Sequence, residues 1–249
     1  MSVTGTVEKI LVLCRAVPEE SKKYFRTVCV AGITDAGHLR RIYPVLFKPF
    51  QPGAGIPFHK KEWMVATVMP PEDKRDKRPE SRKIDSNTVK ILGRADDNEV
   101  RRIVVAHLSP SVRAIATSGA SLGFVKPKII EFDCKVHSTE ELDKSRVDVF
   151  GRIPGKIKLG QESRYKFYCE KRTGCCELRP HNMEIHDWEA NELFRSIIQT
   201  EKKGVLVRQK MRAKFYDWMV KERDMYFMMG THHVFRTWMI VSVLYLRKP

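Results

Sequence analysis

No apolar run in this sequence is long enough to cross a bilayer. The longest, residues 238–246, spans nine residues and includes Ser242, against the roughly 20 that a spanning helix needs. There is no Gly-x-x-x-x-Gly-Lys-Ser/Thr phosphate loop, no dinucleotide fingerprint behind a strand and no Gly-x-Ser-x-Gly elbow. Their absence argues against an NTPase, a Rossmann oxidoreductase and an α/β-hydrolase. An aromatic RNA-recognition octamer, a helix-turn-helix and zinc-finger spacing are missing too. The opening Met-Ser-Val-Thr-Gly carries neither a basic leader nor an apolar stretch with a cleavage site, so a cytoplasmic, reducing environment is expected. Cysteine is sparse, six in 249 residues, and in such an environment the thiols read as small buried hydrophobes or metal ligands before they read as disulfides.

What the chain has in abundance is positive charge. Lys and Arg number 46 against 30 Asp and Glu, a formal +16. The excess is spread along the chain: residues 151–249 hold 20 basic and 11 acidic side chains, and the first 150 hold 26 and 19. Such a field attracts polyanions, and nucleic acid, RNA or DNA, is the expected partner. With 42% hydrophobic residues the chain also has the apolar surface to fold around a core.

The pattern predicts an α+β fold. Residues 10–14 and 27–33 are short apolar, β-branched runs, and the turn residues at 34–37 make 27–43 a hairpin. Prolines and glycines mark 44–59 as a loop, and 63–69 resumes strand character. Residues 98–108 have helical spacing behind the capping candidates Asp96, Asp97 and Asn98, and a second helix is expected from Pro110 to about Thr117. Strands are expected at 128–136 and 164–169, helices at about 183–199 and 205–222, and a closing pair of strands at 224–229 and 238–246. The whole reads as a β-rich part over 1–137, plausible as a small barrel, a polar Gly-rich linker at 138–160, and a part of two helices packed on strands over 161–249.

Three constellations carry chemistry. Cys169, Cys175, Cys176 and His181 crowd one loop, with His186 close behind, and sulfur with imidazole is the donor set zinc prefers. Because Cys175 and Cys176 are adjacent, only one of them is expected to point inward. The second group, His186, Asp187 and Glu189, has the residue types of a nuclease or phosphodiesterase that uses Mg or Mn, although acids at a helix start are also what the helix dipole favours. The third is basic surface: Arg40 and Arg41 on the hairpin, Arg75, Arg78, Arg82 and Lys83 in a loop, and Arg164 and Lys166 on a strand, all suited to phosphate. The leading expectation is a nucleic-acid-binding protein with a zinc-stiffened loop, and the alternative is the metal-dependent nuclease.

The blocks at 21–33, Arg41-Ile-Tyr-Pro44, Arg78-Pro-Glu-Ser81, 121–127 and Asp187-Trp-Glu189 resemble a set of uncharacterised prokaryotic proteins of similar length. That resemblance implies one architecture running from end to end and carries over no activity.

Overall fold

The computed structural model describes residues 5–21, 25–46, 58–73, 75–136, 161–201, 203–232 and 235–249. The expected linker at 138–160 lies outside them, as does most of the loop expected at 44–59.

The first part is a closed barrel. Strands β1 (Thr6–Arg15), β3 (Phe25–Thr34), β4 (Leu39–Leu46), β5 (Glu62–Met69) and β6 (Ser81–Ile84) pair in the order β1-β3-β4-β6-β5, and β5 returns to β1. Every one of these pairings is antiparallel except β4 with β6. Two short strands lengthen the edges: β2 (Glu19–Ser21) on β3 and β7 (Lys90–Arg94) on β5.

The period of a strand explains how the barrel is joined to the rest. Along β1, Ile10 and Val12 point into the barrel to meet Val28, Val30, Ile42, Met64 and Ala66. Leu11 and Leu13 point outward into a second cluster with Ala31, Ile33, Phe124, Tyr226, Met228 and Val241. Both faces of β1 are therefore buried, and burial of each such side chain stabilises by about 1.5–3 kcal/mol. Gly32 is required on β3, because a β-carbon there would come within 2.1 Å of the Leu11 carbonyl oxygen.

Helix α1 (Asp97–Ala106) lies over this second cluster through Val100 and Val104, and the Asp96 side chain caps it by accepting the N–H groups of Asn98 and Glu99. Beyond it stands an antiparallel sheet, β8-β12-β13, built from β8 (Leu122–Val125), β12 (Arg223–Thr231) and β13 (Trp238–Arg247). Its residues alternate between two clusters: Tyr226, Met228, Val241 and Leu244 face the barrel, while Phe227, Met229, Ile240 and Val243 face away. On that far side lie β9 (Lys128–Val136), β10 (Gln161–Tyr168) and β11 (His181–Glu184), paired as β11-β10-β9. Helix α2 (Val112–Thr117) joins the same cluster, as do α3 (Trp188–Thr200) and a long helical run. That run comprises α4 (Gly204–Arg212), a π-helical turn at Ala213–Trp218 and α5 (Met219–Glu222).

Several local expectations are corrected. The helix expected from 183 begins at Trp188: residues 181–184 pair with β10 instead, and Asp187 is the cap that starts α3. The second helix of the N-terminal pair is capped by Ser111, whose hydroxyl accepts the Ala114 N–H, so Pro110 precedes the cap instead of filling the first turn. Pro44 belongs to β4, not to a loop; Tyr43 and Pro44 together face the single residue Cys29, and at such a bulge a residue without an N–H is tolerated. The segment expected as a loop carrying Arg75, Arg78, Arg82 and Lys83 ends in a buried strand: Glu80 accepts from the Ser121 N–H and hydroxyl, and Ser81 opens β6, which holds Arg82 and Lys83.

Candidate metal centre and charged surfaces

The cysteine-rich loop leaves β10 at Cys169 and returns as β11 at His181, which lies opposite Phe167 in the strand register. A turn within the loop is set by Gly174, at φ +68°, and by the Arg172 carbonyl, which accepts the N–H groups of both Cys175 and Cys176. The result gathers Cys169, Cys175, Cys176 and His181 so that one donor atom of each lies within 4.8 Å of all the others. Both adjacent cysteines take part, against the expectation that only one would point inward.

The spacing fits a zinc ion. Tetrahedral bonds of about 2.3 Å to sulfur and 2.0–2.1 Å to nitrogen put ligand atoms about 3.8 Å apart for S···S and about 3.6 Å apart for S···N. The Cys169 and Cys175 sulfurs are 3.9 Å apart, and His181 Nε2 lies 3.4 and 3.3 Å from them. Backbone N–H groups also point at sulfur, Cys169 N–H to Cys176 Sγ at 3.2 Å and Val112 N–H to Cys169 Sγ at 3.5 Å. Such donors stabilise thiolates and orient metal ligands. Burial lowers the His181 pKa and so favours the neutral, ligating imidazole, while burial pushes the Cys169 thiol up, against ionisation unless a cation is present. Four protein donors leave no open position, which is the arrangement of a structural site.

His186, Asp187 and Glu189 are not brought around one point. Asp187 is a buried joint: Oδ2 accepts from Lys60 Nζ at 2.5 Å, from Val243 N–H at 2.7 Å and from the Ser242 hydroxyl at 3.1 Å, and Oδ1 accepts from Glu189 N–H at 2.9 Å. Burial works against the Lys60 ammonium, but Asp187 and Glu189 outweigh it, and its pKa is raised. His186 sits in a connecting segment, with its ring 3.6 Å from Glu184 and its backbone bonded to Val17 and Ile240. Glu189 alone keeps a largely open carboxylate, 44% exposed. Among the described residues, Cys169, Cys175, Cys176 and His181 form the one group of three or more such ligands close enough to share an ion.

Most of the expected phosphate contacts already hold acids. Arg40 makes a two-pronged pair with Glu8, and Arg75 and Arg78 pair with Asp73 and Asp76. Lys83 pairs with Glu72, Lys166 with Glu131, and Arg164 reaches Glu184 at 3.9 Å. Arg82 donates to the carbonyls of Pro79 and Ser81. Arg41 is 3% exposed and donates to the Ser121 carbonyl across the barrel seam.

A different set of cations has no ion pair among the described residues and lies on aromatic rings. The Arg212 guanidinium is 4.6 Å from the Tyr216 ring centre, and Lys214 and Arg223 flank Trp218 at 3.6 and 4.5 Å. Arg172, in the cysteine loop, lies 4.1 Å from the Tyr168 ring. Burial, reinforced by Arg223, lowers the Lys214 pKa. The signal in the sequence was the spacing of four between Arg212 and Tyr216 and between Lys214 and Trp218, carried here by a π-helical turn, a feature frequent at functional sites.

No curated protein matches the chain. Residues 6–107, which hold the barrel and α1, match a family model described as a domain of unknown function (DUF8758). Residues 106–249, more than half of the chain, match a second, and the chain therefore belongs to the family described as a domain of unknown function (DUF8757).

Proposed function

We propose that this protein binds single-stranded nucleic acid through the aromatic-backed cations of its C-terminal part, with a zinc ion holding the neighbouring cysteine loop. The observation that carries the reading is the group Arg212, Lys214 and Arg223: three cations without acidic partners among the described residues, seated on Tyr216 and Trp218, in a chain of formal charge +16. Cations offer phosphate contacts, and ring faces beside them offer stacking to bases of any sequence.

The barrel supports the same reading by analogy of fold. Its five strands β1, β3, β4, β5 and β6, numbered first to fifth along the chain, pair around the barrel in the order 1-2-3-5-4, with the third and fifth parallel. This is the connectivity of the five-stranded barrels that bind oligonucleotides and oligosaccharides with the face of their second and third strands and the adjacent loops. Here the outer residues of those strands, Ala31, Ile33 and Leu39, are packed on the C-terminal sheet. The contact surface then passes to the C-terminal part and to the loop between the fourth and fifth strands. In that loop the Arg75 side chain is 91% exposed and, among the described residues, pairs with Asp73. A fully exposed surface pair of this kind contributes little, so a phosphate can displace the acid.

A salt titration of binding to short single-stranded DNA and RNA, read by fluorescence anisotropy, tests this. Affinity falls steeply with salt, and the triple variant R212A/K214A/R223A lowers the slope of log K against log salt by up to about 2, at about 0.7 per lost phosphate contact. Binding insensitive to salt, or a slope unchanged in the triple variant, refutes the reading. Comparison of the two polymers identifies the one preferred.

A further inference from the structure

The sulfurs of the cysteine loop are not equally guarded. Cys169 and Cys176 are buried, and each accepts a backbone N–H, from Val112 and Cys169 respectively. Cys175 is only partly buried, and among the described residues its sulfur meets Cys169 Sγ and His181 Nε2 and no backbone donor. It follows the run 170–174, which is exposed throughout.

We propose that Cys169 and Cys175 are an oxidation site: a peroxide joins them in a disulfide, and the zinc centre empties as they join. The inference rests on the zinc reading and adds a modification to it.

Reactivity comes first. A thiol bound to zinc is deprotonated outright, and the thiolate is the form that attacks an oxidant. Of the three sulfurs, Cys175 is the one an incoming peroxide can reach, and it keeps the electron density that backbone donors draw from the other two. Its sulfur attacks one peroxide oxygen: an S–O bond forms, the O–O bond breaks, and the departing hydroxide takes up a proton to become water. Cys175 is then a sulfenic acid, which condenses with a neighbouring thiol. The Cys169 sulfur, 3.9 Å away, attacks the Cys175 sulfur, the S–O bond breaks, and a second hydroxide leaves as water. Each sulfur has given up one electron, and the peroxide has taken both.

Geometry selects the pair. Closing the gap of 3.9 Å to the roughly 2.05 Å of a disulfide needs a shift of about 2 Å. Cys169 is anchored where β10 ends, its sulfur under the Val112 N–H and the nearby Lys171 N–H on the Pro110 carbonyl. Cys175 is free to move towards it, because its N–H is held by the Arg172 carbonyl within the loop itself. Cys176 is the poorer partner for Cys175: adjacent Cα atoms lie about 3.8 Å apart, short of the roughly 4.4–6.8 Å that a disulfide spans. Once Cys169 and Cys175 have joined, Cys176 and His181 are the donors left, too few for a structural zinc, and the ion is released. Thiols reverse such a bond by exchange, so a reducing compartment would restore the site.

The experiment exposes the full chain, as purified with its metal, to hydrogen peroxide, follows zinc with a chromogenic chelator and maps the cysteines by mass spectrometry after alkylation. Trypsin separates the pair: Cys169 falls in residues 167–171, and Cys175 with Cys176 in 173–195, because Arg179 precedes a proline. The expected result is these two peptides joined through Cys175 with Cys176 alkylated, one zinc released per joined pair, and both changes reversed by dithiothreitol and added zinc. Zinc retained while the pair forms, a bond that includes Cys176, zinc lost with Cys169 and Cys175 unjoined, or loop thiols that peroxide leaves intact overturns the proposal. Should the purified chain hold no zinc, the zinc reading itself fails. The same map of the metal-free chain then judges the pair alone: a bond between Cys169 and Cys175 upholds the oxidation site, and its absence rejects it.

Discussion

The Lys60 ammonium lies 2.5 Å from the Asp187 carboxylate, the two side chains are 5% and 2% exposed, and 127 positions separate them in the chain. Lys60 comes from the turn ahead of β5 in the barrel and Asp187 from the cap of α3, so one buried ion pair ties the two family modules together. Removing one member of such a pair leaves the other charge buried and alone. Asp187→Ala is therefore expected to cost about 3–5 kcal/mol in urea denaturation. The double variant with Lys60→Met should cost less than the sum of the two single changes. An Asp187→Ala protein as stable as the wild type would mean that the carboxylate serves something other than the joint.

Metal content checks the cysteine loop. Protein purified without chelator is expected to hold one zinc per chain, and Cys169→Ser and Cys176→Ser each to lose it. Cobalt substitution should give the absorption of thiolate ligands. Chelation should lower the melting temperature and open residues 170–180 to protease, because binding energy at such a site is also folding energy. A thermal transition indifferent to chelator would remove the metal from the account.

Gly32 lies against the β1 backbone, and the β-carbon of an alanine would come within 2.1 Å of the Leu11 carbonyl oxygen. Gly32→Ala is expected to force β1 and β3 apart and to destabilise by about 3 kcal/mol, the upper end for overpacking. A change below about 1 kcal/mol in denaturant unfolding would show that the strands yield more easily than this contact implies.

Acid should loosen the loop that precedes β6. Burial alone would raise the Asp76 carboxyl, but hydrogen bonds from Arg78 and Ser81 outweigh it and hold the pKa at about 2, below the ordinary 3.8. A lowered carboxylate pKa stabilises the fold above the unfolded value, and that contribution is lost as pH falls through the folded one. The difference in melting temperature between wild type and Asp76→Asn should thus be full near pH 5 and shrink towards pH 2. A constant difference across that range would exclude the linkage.

What the sequence revealed was chiefly what neighbouring residues decide. The hairpin of β3 and β4, the strands β5, β9, β12 and β13, and helix α1 behind Asp96 follow from local period and turn chemistry. The ligands Cys169, Cys175, Cys176 and His181 stood out because they share one loop. Strand β7 escaped notice because all five of its residues are exposed and nothing alternates. Strand β11 looked like the first turn of a helix, since only its pairing with β10 makes it extended. The pairings of the basic residues were hidden for a related reason. Arg40 finds Glu8 across 32 positions and Lys166 finds Glu131 across 35, and composition cannot see such pairings. The pairs of Arg75 with Asp73 and Arg78 with Asp76 were in plain view at a spacing of two.

Because Leu11 and Leu13 turn away from the barrel and into the neighbouring sheet, each module acts as the other's lid. A fragment holding the barrel alone would present a greasy panel to water and would clump or recruit a substitute cover. Within this chain, the two modules share one buried seam.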